Sequence, residues 1–179
     1  MYKNKEGTAV PQVVFKIREQ GKWQDCTTDS VFKDKKVVFF ALPGAFTPTC
    51  SSTHLPRYDE LAPLFKKNGV DSIVCLSVND AFVMNAWAKD LEVKNITLLP
   101  DGNCEFTEKL GMISDKTAVG FGKRSWRYSM LVENGVVTKM FSEAVKDGDP
   151  FEVSDADTML KHIAPNETIP EKKDTACNL

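Results

Sequence analysis

The sequence VVFFAL at 37–42, followed directly by PGAFTPTC at 43–50, decides the fold. The first six residues are all apolar, which is typical of a strand whose two faces are both covered by helices. The residues that follow include two prolines and end in a cysteine. Because α/β folds place their sites in loops at the carboxyl ends of such strands, we expect the chemistry of this protein in residues 43–50.

A helix and a second buried strand follow this loop. Apolar side chains recur at three- and four-residue steps from residue 50 to residue 68, which predicts an amphipathic helix. Pro56 and Pro63 interrupt it, so we expect a kink or a short first turn before the main run. Residues 72–78 repeat the apolar character of the first strand. A strand, a helix and a strand within about 40 residues predict a βαβ unit, nearly always right-handed and parallel.

The remaining segments predict the rest of an α/β fold with a central mixed sheet flanked by helices. Two β-hairpins are expected, over 13–17 with 21–26 and over 126–133 with 136–141, and Asn134-Gly135 supplies the positive φ of a type I′ turn in the second. The other predicted elements are a helix over 80–90 with Phe82, Val83, Ala86 and Trp87 inward, a strand over 96–99, a helix over 105–110, and a helix from the N-cap Ser154 to residue 162 or 164.

Length, composition and charge exclude several classes of protein. The chain has 179 residues, of which 42% are hydrophobic, and this suits one domain with a proper core rather than a disordered chain. Twenty-three Lys and Arg against 25 Asp and Glu leave a formal charge of −2, so nucleic-acid binding is not expected. With only two histidines, a metal site is not expected either.

The ends of the chain and its longest apolar run bear on location and domain organisation. Residues 1–12 lack the apolar core of a secretory signal. The longest apolar run, 37–42, is far shorter than the ~20 residues that span a bilayer, so we expect a soluble cytoplasmic protein. We predict one domain over 1–165 and a polar tail over 166–179, which is a frayed terminus or a tether.

Five cysteines stand at positions 26, 50, 75, 104 and 177. An odd count without a C-x-x-C motif argues against a disulfide scaffold and a zinc ribbon, so these residues are expected to act as thiols if they act at all. Cys50 is the most informative of them, because it stands in the first turn of the predicted helix. There, free N–H groups and the positive end of the helix dipole favour a thiolate.

A helix terminus alone is too weak to ionise a thiol at neutral pH. An ordinary thiol has a pKa of about 8.5, and lowering the pKa of a thiol to about 6 takes about 3.4 kcal/mol. The helix terminus contributes about 0.3 to 2 kcal/mol. A second positive charge is therefore required, and Lys123, Arg124 and Arg127 are all candidates for it.

Thr47 and the two prolines of the loop complete a site suited to one reaction. Thr47 places a hydroxyl three positions before Cys50, while Pro43 and Pro48 stiffen the loop and shield the sulfur. A thiolate, a hydroxyl, backbone N–H groups and a cation match the attack of sulfur on the O–O bond of a peroxide. Fixed donors stabilise the charge that develops on the leaving oxygen in that reaction.

Pro43, Thr47 and Cys50 form the pattern P-x-x-x-T-x-x-C, which resembles the active-site signature of peroxiredoxins. The longer string PGAFTPTCSSTHLP at 43–56 is similar to the subfamily called peroxiredoxin five, or type II. Three further strings resemble that subfamily in the same order: LSVND at 76–80, NAW at 85–87 and RYSM at 127–130. The resemblance runs from about residue 10 to residue 165, and it is far more specific than a lone T-x-x-C.

The resemblance implies a fold, a reaction and a role for each residue of the motif. The fold would be thioredoxin-like. Cys50 would be the peroxidatic cysteine, oxidised to sulfenic acid by hydrogen peroxide or an alkyl hydroperoxide without a bound cofactor. Thr47 would hydrogen-bond the peroxide, Pro43 would shield the sulfur, and Arg127 would be the guanidinium partner of the thiolate. The resemblance also implies a homodimer formed through the face that carries the loop.

The oxidised cysteine must be reduced again, and two routes are open. Cys75 matches a position that resembles the second cysteine of plant type II enzymes and is the candidate resolving cysteine. It lies inside a predicted buried strand, so the helix start would have to unwind before a disulfide formed. Otherwise glutathione, glutaredoxin or thioredoxin would act in trans. The apolar residues expected to flank an organic peroxide are Leu42, Phe46 and Phe121.

Alternatives remain for the function of the cysteine and for the role of its neighbour His54. A thiol redox sensor would pass oxidation to a partner protein through a mixed disulfide, and Cys177 in the predicted tail would suit the capture of that partner. A non-catalytic thioredoxin-fold module would carry an unreactive Cys50. His54 is expected to form hydrogen bonds in the helix rather than act as a general base, because a thiolate held by Arg127 needs none.

Overall fold

The computed structural model describes residues 2–146 and 148–172. The strands are β1 (Val14–Glu19), β2 (Lys22–Thr27), β3 (Lys36–Leu42), β4 (Ser72–Ser77), β5 (Ile96–Pro100), β6 (Ile113–Asp115), β7 (Lys123–Ser125), β8 (Tyr128–Glu133) and β9 (Val136–Ser142). The α-helices are α1 (Thr28–Phe32), α2 (Leu55–Lys67), α3 (Ala81–Asp90), α4 (Glu105–Leu110) and α5 (Ala156–Ile163). No helix in this part of the chain has both the length and the apolar character needed to cross a membrane.

Five of the strands form one mixed sheet in the order β5-β4-β3-β8-β9. β3 pairs in parallel with β4, and β4 pairs in parallel with β5. β8 runs antiparallel to both β3 and β9. Strands β1 and β2 form a separate hairpin, and β6 pairs with β7. The predicted α/β fold, in which a parallel pair is joined to an antiparallel hairpin and helices flank the sheet, is confirmed.

β3 lies in the middle of this sheet and is covered on both faces. Residues 37, 39 and 41 belong to one apolar cluster, which also contains Phe32 of α1 and Phe106 of α4. Residues 38, 40 and 42 belong to a second cluster, which contains Tyr58 of α2 and Leu160 of α5. Because side chains alternate between the two faces of a strand, this double burial requires an apolar residue at every position of VVFFAL.

The predicted short first turn before α2 is present as a π-helical turn over Cys50–His54. The N–H of Leu55 bonds to the carbonyl of Cys50, five residues back rather than four. Pro56 follows directly after this turn, at the start of α2. Pro63 lies inside α2, which nevertheless continues to its predicted end.

α3 has its predicted bounds, but the prediction of its inward face is wrong in part. Trp87 is buried as expected, together with Met84, whereas Phe82 and Ala86 face outward and Phe82 is 57% exposed. Phe82 contacts the β1–β2 hairpin instead, where the Trp23 ring lies edge-on at 5.6 Å. The apolar pattern of a helix cannot distinguish this surface contact from core packing.

α5 begins one residue later than predicted. Its N-cap is Asp155, whose carboxylate accepts from the N–H of Thr158 at 3.1 Å, so the prediction of Ser154 as the cap is wrong. The Ser154 hydroxyl donates to Glu143 at 2.7 Å instead. The short elements α1, β6 and β7 and a 3-10 turn over Thr117–Val119 were not predicted from sequence, because they are too short to show a period.

The first part of the predicted polar tail is folded against α2. The carboxylate of Glu167 accepts from Lys67 at 2.9 Å, and the carbonyl of Pro170 accepts from Arg57 at 2.6 Å. Ile169 packs against the apolar cluster beneath α2. The expectation of a frayed terminus is therefore wrong for this part of the tail, while Cys177 lies outside the described residues.

Candidate active site

The carboxyl end of β3 and the amino end of β8 meet at one edge of the sheet. This follows from their antiparallel pairing, in which Ala41 stands opposite Tyr128. Arg127 directly precedes β8 and therefore lies beside the end of β3, where the loop 43–49 begins. The topology thus brings Arg127 to the loop that leads to Cys50.

Hydrogen bonds within the loop hold its shape. Thr47 Oγ1 donates to the carbonyl of Gly44 at 2.8 Å, and the N–H of Ser51 donates to the carbonyl of Thr47 at 3.0 Å. Pro43 is buried at the base of the loop, and its ring fixes φ there. The Thr47 hydroxyl can still accept a hydrogen bond, but its proton is engaged by Gly44 and must turn away before it can donate to a substrate.

Two further contacts fix the loop and the start of the helix to neighbouring elements. Asn79, just after β4, accepts through Oδ1 from the N–H of Ala45 at 3.0 Å and from Ser77 Oγ at 2.7 Å. Trp87 of α3 donates through Nε1 to Ser51 Oγ at 3.0 Å. The residue after Cys50 is therefore tied to α3, and the loop before it is tied to the end of β4.

Cys50 and Cys75 are both fully buried in the same apolar cluster, and both are free thiols. Cys50 lies in the first turn of a helical segment that begins at Pro48. Cys75 stands opposite Phe40 in the β3–β4 ladder. Burial raises the pKa of the Cys75 thiol well above its ordinary range, the charge of Cys50 adds to this effect, and Arg127 opposes it. Cys75 is thus a neutral, inaccessible thiol in this structure.

Arg127 is the charged side chain at the centre of the site and is only 1% exposed. Its Nη1 bonds to His54 Nδ1 at 3.0 Å, and its Nη2 donates to both carboxylate oxygens of Asp149 at 2.6 and 2.5 Å. Its Nε has no hydrogen-bond partner among the described residues. Burial by itself lowers the pKa of Arg127, but the interactions with Cys50 and Asp149 outweigh it and raise that pKa overall. The guanidinium therefore stays charged.

His54 is buried and neutral. Burial first, and then the charge of Arg127, hold the pKa of His54 well below its ordinary value of 6.5. Its Nε2 lies 3.2 Å from the carbonyl oxygen of Ser154, which can only accept, so Nε2 carries the proton and Nδ1 accepts from Arg127. The expected hydrogen-bonding role is present, but its partners lie outside the helix rather than within it.

The three basic residues that the sequence left as candidates are separated by the fold. Arg127 is buried with Cys50, and Lys123 is exposed. Arg124 lies next to the loop, since a Cβ placed on Gly44 would come within 3.2 Å of Arg124 Nη1, and that nitrogen donates to the carbonyl of Val78 at 3.3 Å. Its Nε donates to the carbonyl of Phe121 at 3.0 Å, which places Phe121 near the loop as well.

Sequence reasoning missed Asp149 and Glu143, and it gave Ser154 the wrong role. Asp149 is separated from Arg127 by 22 positions, and Ser154 from His54 by 100. No local spacing could signal these contacts, because only the folded sheet brings the residues together.

The assembled groups can ionise a sulfur and stabilise a charged oxygen. A permanently charged guanidinium beside a buried thiol favours the thiolate, and its Nε–H, which has no partner among the described residues, can donate to an oxygen that acquires charge. Across residues 2–146 and 148–172, no three or more His, Cys, Asp or Glu side chains are grouped so that they could hold a metal ion.

Comparison with known proteins gives matches over most of the chain. The family model described as Redoxin matches residues 5–160. The hybrid peroxiredoxin hyPrx5 of Haemophilus influenzae is 63% identical over 166 residues, which are 93% of this chain and 69% of that protein. Peroxiredoxin sll1621 of Synechocystis is 54% identical over 167 residues, which are 86% of this chain and 88% of that protein.

Solved structures have the same architecture. Reduced Prx3 of Vibrio vulnificus, solved in complex with hydrogen peroxide, superposes with a TM-score of 0.83 at 44% identity over 88% of this chain and 98% of that one. The antioxidant protein of Plasmodium falciparum, a 1-Cys peroxiredoxin, gives a TM-score of 0.86 at 33% identity over 91% of this chain and all of that one. These matches confirm the predicted thioredoxin-like fold.

Proposed function

Since this chain belongs to the redoxin family and is a peroxiredoxin, a thiol-dependent peroxidase, we propose that Cys50 is its peroxidatic cysteine. The observation that carries this proposal is the buried guanidinium of Arg127. It is charged, it interacts with Cys50, and its Nε–H has no partner among the described residues. Cys104 also follows the end of a strand at a helix start, as the N-cap of α4, but burial and the charges of Asp101 and Glu108 raise the pKa of its thiol.

The proposed reaction is a displacement at oxygen. The Cys50 thiolate attacks one peroxide oxygen with a sulfur electron pair, the O–O bond breaks, and the sulfur becomes a sulfenic acid. The leaving oxygen takes up one proton, which balances the proton that Cys50 releases on ionising, and departs as water or alcohol. Arg127 stabilises the charge on that oxygen, Thr47 hydrogen-bonds the bound peroxide, and Pro43 shields the sulfur from solvent.

The proposed substrates are hydrogen peroxide and alkyl hydroperoxides. Support comes from the Vibrio vulnificus relative, whose structure was solved with hydrogen peroxide bound. Phe46 is 53% exposed on the loop and Phe121 is 41% exposed, so both are available to an organic substrate or to a second copy of the chain in a homodimer. Leu42 is fully buried and can only form the floor of the site.

Peroxiredoxins use thiol reductants, and we propose glutathione with glutaredoxin, or thioredoxin, as the donor for this one. A sulfenic acid on Cys50 is reduced by one thiol to a mixed disulfide and by a second thiol back to the free cysteine. The burial and the raised pKa of Cys75 argue against fast attack by that thiol from within the folded chain.

Replacement of Cys50 tests this function most simply. Cys50→Ser should abolish the consumption of hydrogen peroxide with glutathione and glutaredoxin, because a serine hydroxyl is not ionised at neutral pH. Cys26→Ser is the matched control, since Cys26 is half-buried at the end of β2 and should retain full activity. Full peroxide consumption by the Cys50→Ser protein would exclude the proposal.

A further inference from the structure

The segment between β9 and α5, residues 143–155, is organised around one buried carboxylate. The structure describes all of this segment except residue 147. Glu143 is only 3% exposed, and its carboxylate accepts from the N–H groups of Glu152, Val153 and Ser154 at 2.9 to 3.0 Å and from Ser154 Oγ at 2.7 Å. These bonds fold the end of the segment over the active site.

The folded segment reaches Arg127 at two points. Asp149 accepts from Nη2 with both carboxylate oxygens. The carbonyl of Ser154 accepts from Nε2 of His54, and Nδ1 of the same ring accepts from Nη1 of Arg127. Both terminal nitrogens of the guanidinium are thus held, and Nε is the nitrogen left without a described partner.

Holding both terminal nitrogens fixes the plane of the guanidinium, because the group is rigid and flat. Its remaining donor then has a set direction before any peroxide binds. A misplacement of about 1 Å at a reacting centre can lower a rate about a hundredfold, so this orientation has catalytic value. The anionic Asp149 also has an opposing effect, since it offsets part of the positive charge that favours the thiolate.

We propose that Asp149 and His54 are positioning residues, which hold Arg127 so that its Nε–H faces the sulfur and the bound peroxide. The proposal rests on the function proposed above, in which Arg127 is the partner of Cys50. Neither residue touches the peroxide in this account. Glu143 acts one step further away, by folding the segment that carries Asp149 and Ser154.

Substitution of Asp149 separates positioning from charge, because the two effects have opposite signs. Removing the negative charge of Asp149 should lower the pH midpoint of Cys50 alkylation by iodoacetamide. Removing the hydrogen bonds that hold Arg127 should lower the second-order rate constant with hydrogen peroxide. At a pH above both midpoints, we expect Asp149→Ala to reduce that rate constant about tenfold. Asp149→Asn keeps one acceptor oxygen and should give an intermediate rate constant.

The matched control is Glu152→Gln, which removes one negative charge from the same segment without touching Arg127. Its salt-bridge partner is the exposed Lys146, so its rate constant should stay within twofold of the unsubstituted protein. An unchanged rate constant in Asp149→Ala would overturn the proposal. A rise in the pH midpoint of Cys50 alkylation in Asp149→Ala, together with a lower rate constant with hydrogen peroxide, would also overturn it. General loss of structure predicts these two changes together, and loss of the contact between Asp149 and Arg127 does not.

The positioning role of His54 is tested by two variants, of which only one keeps an acceptor for Nη1 of Arg127. His54→Phe keeps a ring against Phe40 and Phe151, whose centroids lie 4.9 and 4.7 Å from the imidazole, but removes both hydrogen bonds. His54→Gln restores an acceptor for Nη1. We expect a rate constant about tenfold lower in the Phe variant and partial recovery in the Gln variant. Equal rate constants in both variants would contradict a positioning role for His54.

These outcomes are distinguishable from a failure of the proposed function. If Cys50→Ser consumes peroxide normally, the proposed function fails whatever the Asp149 variants do. If Cys50→Ser is inactive while Asp149→Ala keeps the full rate constant, the proposed function stands and only the positioning role is lost.

Discussion

A buried imidazole next to an arginine is an unusual pair, and its hydrogen bonds explain why His54 stays neutral. One ring nitrogen donates to the Ser154 carbonyl, and the other accepts from Arg127. A second proton would have to replace the hydrogen bond from Arg127 and would place two positive charges in contact inside the protein. His54 therefore cannot serve as a base for Cys50, and in the proposed mechanism the charge of Arg127 stabilises the thiolate instead.

The depressed pKa of His54 predicts a pH-dependent stability. Below about pH 6.5 the unfolded chain takes up a proton at this histidine and the folded protein does not, so stability is present above that pH and is lost as the pH falls. The slope attributable to His54 is at most about 1.4 kcal/mol per pH unit. Urea unfolding at pH 7, 6 and 5 should show a steeper loss in the unsubstituted protein than in His54→Phe. Parallel losses in the two proteins would contradict a neutral buried imidazole.

Among the residues of the site, only those that lie within one sequence motif could be predicted from the residues alone. Pro43, Thr47 and Cys50 are close in the chain, so their spacing was sufficient to predict a common loop. The choice of Arg127 required a family resemblance, because the residues alone left three basic candidates. Asp149 could not be found, since its partner lies in another element and its exposed loop position resembles that of any surface carboxylate.

The two cysteines of the apolar cluster sit on different elements, which limits how they can react with each other. Cys50 opens the π-helical turn before α2, and Cys75 lies within β4 in the middle of a paired ladder. A disulfide needs Cα atoms within about 7 Å and suitably directed side chains. The helix start is the element that can unwind, because β4 is held by strands on both sides.

We therefore predict that Cys75 is dispensable for turnover with glutathione. Cys75→Ser should retain at least about half of the glutathione- and glutaredoxin-supported rate, because a neutral buried thiol attacks slowly. Cys75→Ala is the folding control, since it adds no hydroxyl to the apolar cluster. Loss of turnover in both variants, with a Cys50–Cys75 disulfide found by peptide mass spectrometry in the oxidised unsubstituted protein, would show instead that Cys75 resolves the sulfenic acid.

Elements with a long apolar pattern were predictable from the sequence, and features defined by a tertiary contact were not. β3 and α2 follow from runs of apolar residues that suit only one burial pattern. The inward face of α3 was partly misassigned because Phe82 packs on the surface against Trp23 and Arg18 of the hairpin, with the guanidinium carbon 5.1 Å from the Phe82 ring centroid. An apolar pattern indicates which residues avoid water, but it does not show which surface each of them contacts.

For the molecule as a whole, Arg57 joins three parts of the chain. Its guanidinium bonds to Glu60 in α2, to both carboxylate oxygens of Asp157 in α5, and to the carbonyl of Pro170 in the C-terminal segment. Its side chain is only 7% exposed. These contacts hold α5 and the C-terminal segment against α2, and composition alone gave no sign that a polar segment would be fixed in this way.

Removal of Arg57 should therefore destabilise the whole fold without changing the chemistry. Arg57→Met leaves two carboxylates without their partner and should lower the free energy of unfolding by about 2 kcal/mol or more, measured by urea titration. Lys67→Met removes the ion pair between the exposed Lys67 and Glu167 and should lower the free energy of unfolding by less than about 1 kcal/mol. Equal effects of the two changes would contradict the role given to Arg57. The rate constant with hydrogen peroxide should stay within about twofold in both variants.

The claim on which the account depends is that peroxide oxidises the sulfur of Cys50 and no other. One equivalent of hydrogen peroxide should be added to the reduced protein in the presence of dimedone, and each cysteine then mapped by peptide mass spectrometry. We predict a dimedone adduct on Cys50 in nearly every molecule and unmodified thiols at the other four positions. Consumption of the peroxide with Cys50 left as a free thiol, and the adduct at another cysteine, would contradict the account.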